Sequence, residues 1–358
     1  MTHFWLRAEY RDDEFRTPIT PIGARKLLDN GINVTVEESD KRAFSTNEYR
    51  SIGCEIARQG AWKSSDRKTI ILGLKELEGN IVLNHRHIMF AHVFKEQKGS
   101  NKTLACFKRG GGILYDLEYL TDAEGKRVAA FGHYAGFAGA AVALNIWLAK
   151  MNMDLNSNYK FPSTTNKTEI RSILNKDLTK YVSKNNEKPG VIIIGAHGRV
   201  GKGAKELFNS LAIQTKDWDL EETSSGGPFP EILEHDIFVN CVLASADSKP
   251  FITKDLIKST RKLLVISDVS CDPGSEYNTI PLYDQPTSFS MPYHTLIAGN
   301  KPLYITAIDN LPAMLPKESS LNFERQLLNY LIDFKDDNYG VWGRAKKVFD
   351  AKLENILM

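Results

Sequence analysis

Three short apolar runs in the first third of this 358-residue chain each end on a residue able to move a proton. Thr69-Ile70-Ile71-Leu72-Gly73-Leu74 runs into Lys75, Ile88-Met89-Phe90-Ala91 into His92, and Ile113-Leu114-Tyr115 into Asp116 and then Glu118. Runs of this length and composition predict buried strands, and open α/β sheets bind ligands beyond the carboxyl ends of their strands. An amine, an imidazole and two carboxylates placed there can form an acid–base site. Lysine serves as a base only when burial or a neighbouring cation lowers its pKa from ~10.4, whereas histidine titrates near neutrality unaided. The alternative reading is that Lys75 and His92 are polar strand ends meeting solvent. Arg16, before Thr17-Pro18, and Arg127 are candidates for holding carboxylates, because a guanidinium fork matches them. Each can equally be a surface arginine.

A second constellation lies further along. Val191-Ile192-Ile193-Ile194 is a run of β-branched residues, and glycines follow at Gly195, Gly198 and Gly201 before a helical pattern through Ala204, Leu207, Phe208 and Leu211. A strand, a glycine turn and a helix whose N-terminus faces a pyrophosphate make a dinucleotide site. Asp219 follows at about the ~20-residue distance at which such folds set a carboxylate on the ribose hydroxyls. The bland alternative is a glycine-rich turn in an ordinary α/β domain. His197, inside the turn, shapes it or faces cofactor. His85 and His87 have no acidic or cysteine partner at ligand spacing, so no metal site is expected.

The elements that must position these groups fall into two halves. A chain of 358 residues is long enough for two cores. The first half reads as strand Phe4–Ala8, a helix from Pro21 toward Gly31, strand Ile32–Val36, and the three runs above. A long Ala/Gly-rich helix from Phe131 to about Lys150 packs closely against backbone and joins the halves. A loop and a polar helix fill 153–188, ended by Pro189-Gly190. After the glycine turn come strands Asp236–Val242 and Leu263–Asp268 and a helix from Glu318 to Phe334 that returns the chain to the first half. Alternating strands and helices predict a mostly parallel sheet in each half. The expected fold is α/β, two Rossmann-like domains with the active site in the cleft between them. Residues 1–131 with 320–358 form the substrate domain, and 132–319 the nucleotide domain.

Composition narrows the partners. A net charge of +2, with 42% hydrophobic and 25% charged residues, gives no reason to expect nucleic acid or a membrane surface. Four cysteines without Cys-x-x-Cys spacing read as reduced thiols. A cytoplasmic enzyme of small molecules is expected, as a monomer or small homo-oligomer.

Several blocks together resemble one family, the NAD-dependent, lysine-forming saccharopine dehydrogenases. They are Leu6-Arg7-Ala8-Glu9, Ile71-Leu72-Gly73-Leu74-Lys75-Glu76, Phe90-Ala91-His92, Leu114-Tyr115-Asp116-Leu117-Glu118, Arg127-Val128-Ala129-Ala130-Phe131-Gly132, Tyr134-Ala135-Gly136-Phe137-Ala138-Gly139 and Glu222 through Phe229, with Asp268-Val269-Ser270 and Asp309-Asn310-Leu311-Pro312 beyond. The wider relatives, alanine dehydrogenase and the nicotinamide transhydrogenase domain, share the two-domain plan. The resemblance implies oxidative cleavage of saccharopine to lysine and 2-oxoglutarate, within lysine metabolism through the α-aminoadipate pathway. It implies Lys75 and His92 as catalytic groups, with Glu118 modulating their charges. Arg16, Gln97, Arg127, Phe131, Ser270, Cys271 and Asp272 would line the substrate site with Lys75. For NAD it implies Lys126, Gly195, Gly198, Arg199, Gly201, Asp219, Thr223, Leu243, Val269, Ile308, Asp309, Asn310 and Leu311. Four positions depart from the pattern: Lys126 stands for an arginine, Leu243 for a tyrosine, Asn310 for a histidine and Cys271 for an alanine. The rival readings are an opine-like or alanine-type dehydrogenase of the same architecture and a catalytically idle NAD-binding module. Lys75 and His92 together argue against idleness, and two arginines favour a multiply charged substrate.

Overall fold

A computed structural model describes residues 1–77, 79–93, 100–156, 159–243, 248–275, 278–334 and 339–354. The chain divides into two compact units, one of residues 1–130 with 316–358 and one of residues 131–315.

The first unit opens with β1 (His3–Leu6), α1 (Pro21–Asp29), β2 (Asn33–Glu37), α2 (Thr46–Ser51) and β3 (Glu55–Ala57). It continues through β4 (Ile70–Leu72), β5 (Arg86–Met89), α3 (Ser100–Gly110) and β6 (Ile113–Asp116). Helix α1 begins where Pro21 takes the first helical position and stops before Gly31, whose φ of +72° is the left-handed conformation glycine adopts without strain. The strand order is β3-β2-β1-β4-β5-β6, with every neighbouring pair parallel. The winding therefore reverses between β1 and β4, and the loops leaving those two strands open toward each other at the place where such sheets bind ligands. The strands are shorter than the apolar runs suggest: Gly73-Leu74 and Phe90-Ala91 have already left the sheet.

The second unit contains α4 (Gly132–Met151), α5 (Lys167–Asn185), β7 (Val191–Ile194), α6 (Arg199–Ser210), β8 (Thr215–Trp218), α7 (Leu220–Thr223), β9 (Ile237–Asn240), β10 (Val265–Asp268), β11 (His294–Ile297) and β12 (Leu303–Thr306). Its order is β11-β12-β10-β9-β7-β8, parallel except for the antiparallel edge pair β11–β12. Strand β7 is buried on both faces, which is why it is an unbroken aliphatic run. Val191 and Ile193 join one apolar cluster while Ile192 and Ile194 join the other. Helix α4 is apolar all round and is buried from Gly136 to Ala149. Its glycines let it lie on α6 backbone to backbone: a Cβ on Gly136 would stand 1.8 Å from the Val200 carbonyl oxygen, and one on Gly203 1.7 Å from that of His133.

The chain then returns to the first unit as α8 (Pro316–Ile332) and α9 (Gly340–Glu354). Phe334 and Trp342 pack on Tyr115 of β6, and Phe349 of α9 on Phe107. Among the described residues no helix is long and apolar enough to cross a membrane.

Candidate active site

Lys75 stands three residues beyond β4, half-buried, facing the charged loop that leaves β1. That loop holds a buried ion pair in which Arg16 Nε and Nη2 donate to the two Glu14 carboxylate oxygens at 2.7 and 2.6 Å. Although burial opposes it, the guanidinium holds Glu14 below the usual carboxylate range. Arg11 pairs with Glu76 at 2.5 Å. Burial, and then the Arg16 cation, lower the Lys75 pKa from its ordinary value, with Glu14 working the other way. A lysine so placed has the character of a general base.

His92 follows β5 at the equivalent point. Its φ of +52° is a left-handed conformation rarely held by a non-glycine residue and common where strain serves a site. The ring stacks on Phe90 with centroids 6.5 Å apart, and Nδ1 lies 4.0 Å from the Glu118 carboxylate. Burial, and then the Lys75 charge, lower the His92 pKa, against Glu76 and Glu118. Glu118 also accepts from Arg127 Nη2 at 3.0 Å, while Arg127 Nε donates to the Glu118 carbonyl at 3.2 Å. Asp116, buried at the end of β6, accepts from the amides of Ala91 at 3.3 Å and Glu118 at 2.9 Å. Burial pushes its carboxyl up to about 7 against those two bonds.

The first unit thus gathers Lys75, His92, Arg16, Arg127 and Glu118 along one edge of its sheet. Lys126 occupies an exposed turn between the bridged residues Thr121 and Arg127, its amide donating to Asp122 at 2.8 Å. Gln97 lies outside the described residues. Sequence reasoning did not single out Glu14, Arg11 or the individual roles of Arg7 and Glu9; the one available signal was the density of charge just after β1. His85 and His87 are buried among rings, with His87 5.2 Å from Trp62 and 5.4 Å from Phe107. Among the described residues no three metal-capable side chains gather.

In the second unit the winding reverses between β7 and β9, and the glycine turn sits there. Gly195 has φ +83°, and a Cβ on it would meet the Cys241 backbone at 3.0 Å. A Cβ on Gly201 would stand 2.2 Å from the Gly195 carbonyl oxygen. Gly198 is the exposed N-cap of α6, with Arg199 as the first helical residue. The open helix end and the bare glycine surface suit a pyrophosphate. Asp219, at the end of β8, accepts from the amides of His197 at 2.9 Å and Leu220 at 3.0 Å, and Thr223 Oγ1 donates to the Asp219 carbonyl at 2.7 Å. This ties the Asp219 carboxylate directly to the glycine turn.

The loop after β10 holds Val269, Ser270, Cys271 and Asp272. Ser270 Oγ donates to the Val242 carbonyl at 2.5 Å. Cys271 has φ +47°, and its thiol donates to the Ala307 carbonyl at 3.1 Å. Burial pushes that thiol up to about 12, so it stays protonated. Ile308 and Leu311 are buried, Asp309 is exposed, and Asn310 caps a short 3₁₀ turn. Leu243 is 80% exposed, an apolar side chain standing open beside the turn. Phe131 is the N-cap of α4 in this same unit.

The chain matches two family models, the N-terminal domain of alanine dehydrogenase/PNT over residues 5–138 and its C-terminal domain over residues 229–354. It is 40% identical to a protein of Schizosaccharomyces pombe named saccharopine dehydrogenase [NAD(+), L-lysine-forming], covering 99% of both chains. It is 43% identical to a protein of the same name from Yarrowia lipolytica, covering 98% of this chain and 97% of that one. Among solved structures it resembles an L-alanine dehydrogenase with a TM-score of 0.68 at 17% identity, covering 99% of this chain and 94% of that one, a likeness of fold.

Proposed function

The chain belongs to the NAD-dependent, L-lysine-forming saccharopine dehydrogenases, and from that premise we propose how its residues divide the work. It is an NAD-dependent oxidoreductase acting on a CH–NH bond, cleaving saccharopine to L-lysine and 2-oxoglutarate. The observation that carries the assignment of roles is Lys75, a half-buried amine with its pKa lowered by burial and Arg16, electrostatically coupled to His92.

Saccharopine must lose the proton of its secondary amine before the adjacent carbon can release hydride. Neutral Lys75 accepts that proton. Gly195, Gly198 and Gly201 would hold the pyrophosphate of NAD and Asp219 its ribose, with Arg199, Thr223, Leu243, Val269 and Ile308 to Leu311 around them and Lys126 toward a phosphate as the resemblance implies; NAD when bound would supply the hydride acceptor. The oxidised C–N bond is an imine. His92 activates the water that adds to it and returns a proton to nitrogen as the adduct collapses. Glu118, between His92 and Arg127, steadies the charge on both. Arg16 and Arg127 each pair with a protein carboxylate, which fixes the orientation of guanidinium groups whose fork geometry matches a substrate carboxylate. The family resemblance also gives Phe131, Ser270, Cys271 and Asp272 of the second unit substrate-contacting roles, whereas Gln97 lies outside the described residues. A cytoplasmic enzyme, alone or as a small homo-oligomer, belongs to this reading, supported by four free cysteines.

The test is a substrate panel with NADH: lysine plus 2-oxoglutarate, ammonia plus pyruvate, and other amine–oxoacid pairs. Oxidation of NADH with the first pair is expected to exceed all others by orders of magnitude. Preference for ammonia plus pyruvate would transfer the chain to alanine-type chemistry.

A further inference from the structure

Lys75 is a flexible side chain, so its aim depends on where the main chain holds its Cα. That main chain is gripped from both sides by one ion pair. Glu9 Oε1 accepts the Leu74 amide at 2.7 Å, and Glu9 Oε2 accepts the Lys75 amide at 3.1 Å. Arg7 Nη2 donates to the Lys75 carbonyl, and Arg7 Nη1 pairs with Glu9 at 3.2 Å. The Arg7 amide bonds the Leu72 carbonyl at 3.1 Å. Arg7 is 1% and Glu9 8% exposed, so the grip is worked in a low dielectric where charged hydrogen bonds are strong. Gly73 completes the fit, because a Cβ there would lie 2.4 Å from Arg7 Nε and 2.5 Å from its Cζ. Burying two charges is costly, and a pair whose side chains spend three hydrogen bonds on the backbone of Leu74 and Lys75 has a local purpose.

We propose that the Arg7–Glu9 pair is a positioning device for Lys75, acting through the backbone of Gly73 to Lys75. It rests on Lys75 being the base. Two variants test it without touching the amine. In Glu9→Gln the amide oxygen can serve one backbone N–H and the ion pair is lost. In Gly73→Ala all charges remain but the new methyl displaces the guanidinium. A base misplaced by about 1 Å loses on the order of 10²-fold in rate. Both variants should therefore lose roughly that factor in kcat, with NADH affinity, measured by fluorescence titration of active sites, within about twofold of the parent. Their pH–rate profiles should move, because Lys75 has shifted relative to Arg16. Adding Glu9→Gln to Lys75→Met should cost no further rate, as groups acting through one another are non-additive. Parent-like kcat and pH profile in both variants, or multiplicative losses in the double variant, overturn the positioning role. A parent-like rate in Lys75→Met alone instead overturns the assignment of Lys75 as base.

Discussion

Replacing Asp219 by serine should turn the enzyme from NAD toward NADP. The Asp219 carboxylate is anchored by the His197 and Leu220 amides, so it cannot swing away from a cofactor lying over the glycine turn. A 2′-phosphate at the ribose edge would meet it as a like charge at close range, taken as about 4 Å. At that distance two unit charges repel by about 1 kcal/mol with the full screening of water and by about 4 kcal/mol at an effective dielectric of 20. A phosphate carrying nearly two charges then costs at least about 2 kcal/mol, and 1.4 kcal/mol is tenfold in affinity. The parent enzyme should prefer NAD by at least ~10-fold in kcat/KM. Serine is chosen because it is an efficient N-cap and preserves the start of α7, which Asp219 and Glu222 form as a reciprocal capping box. The assay is kcat/KM for both cofactors with saccharopine at fixed ionic strength, since exposed charges are screened by salt. Asp219→Ser should admit NADP and weaken NAD, closing most of the gap. Equal use of both cofactors by the parent, or a ratio unmoved by the substitution, refutes the ribose assignment.

Lys75→Met and His92→Gln should each lower turnover by about 10²–10⁴-fold, the usual contribution of a general acid–base group, with NADH titration near parent values; rates equal to the parent across pH would reject both roles. Because Lys75 must be neutral to act and its pKa is lowered from the ordinary value, oxidation of saccharopine should rise with pH to a plateau starting below the pKa of free lysine, read from kcat/KM profiles. Glu14→Ala takes from the buried Arg16 the carboxylate that two of its nitrogens bond and should destabilise the protein by about 3–5 kcal/mol in urea unfolding, whereas a loss under about 1 kcal/mol would show the pair to be solvated. Asp116, with its folded carboxyl raised to about 7, binds more protons folded than unfolded between pH ~4 and ~7. Its contribution is present at low pH and lost as pH rises through 7, so urea midpoints of the parent should fall relative to Asp116→Asn across that window; a constant difference would contradict the raised value.

The fold class was legible because parallel strands buried on both faces leave continuous aliphatic runs, as at β4 and β7. Strand ends were overdrawn where the chain stays apolar after leaving the sheet, as at Gly73-Leu74. Strands β3, β8, β11 and β12 were not foreseen: β3 has no buried residue, Thr215-Lys216-Asp217-Trp218 is polar because it forms an edge, β11 forms the other, antiparallel edge, and β12 is only four residues long. In the site, the positions of Lys75, His92 and Glu118 followed from strand ends alone. The company they keep did not. Arg7, Glu9, Glu14 and Arg16 reach Lys75 because β1 pairs with β4 while β2 and β3 wind away on the other side, and strand order is a tertiary property. Nor does sequence announce that His92 and Cys271 hold left-handed backbone, since few non-glycine residues do, histidine being only enriched there relative to the rest.

The division of the chain also sets an order of assembly. Residues 131–315 are continuous and hold their whole sheet, whereas the first unit lacks α8 and α9 until the residues beyond 315 are made. Those late helices supply Phe323 against Phe90, Trp342 against Tyr115 and Phe349 against Phe107. Domains fold as units as they leave the ribosome, so the nucleotide-binding half is complete first, and the half that carries Lys75 and His92, though synthesised earlier, waits for its final helices. A nascent or truncated chain can therefore present a finished nucleotide unit while the unit that carries Lys75 and His92 is still incomplete.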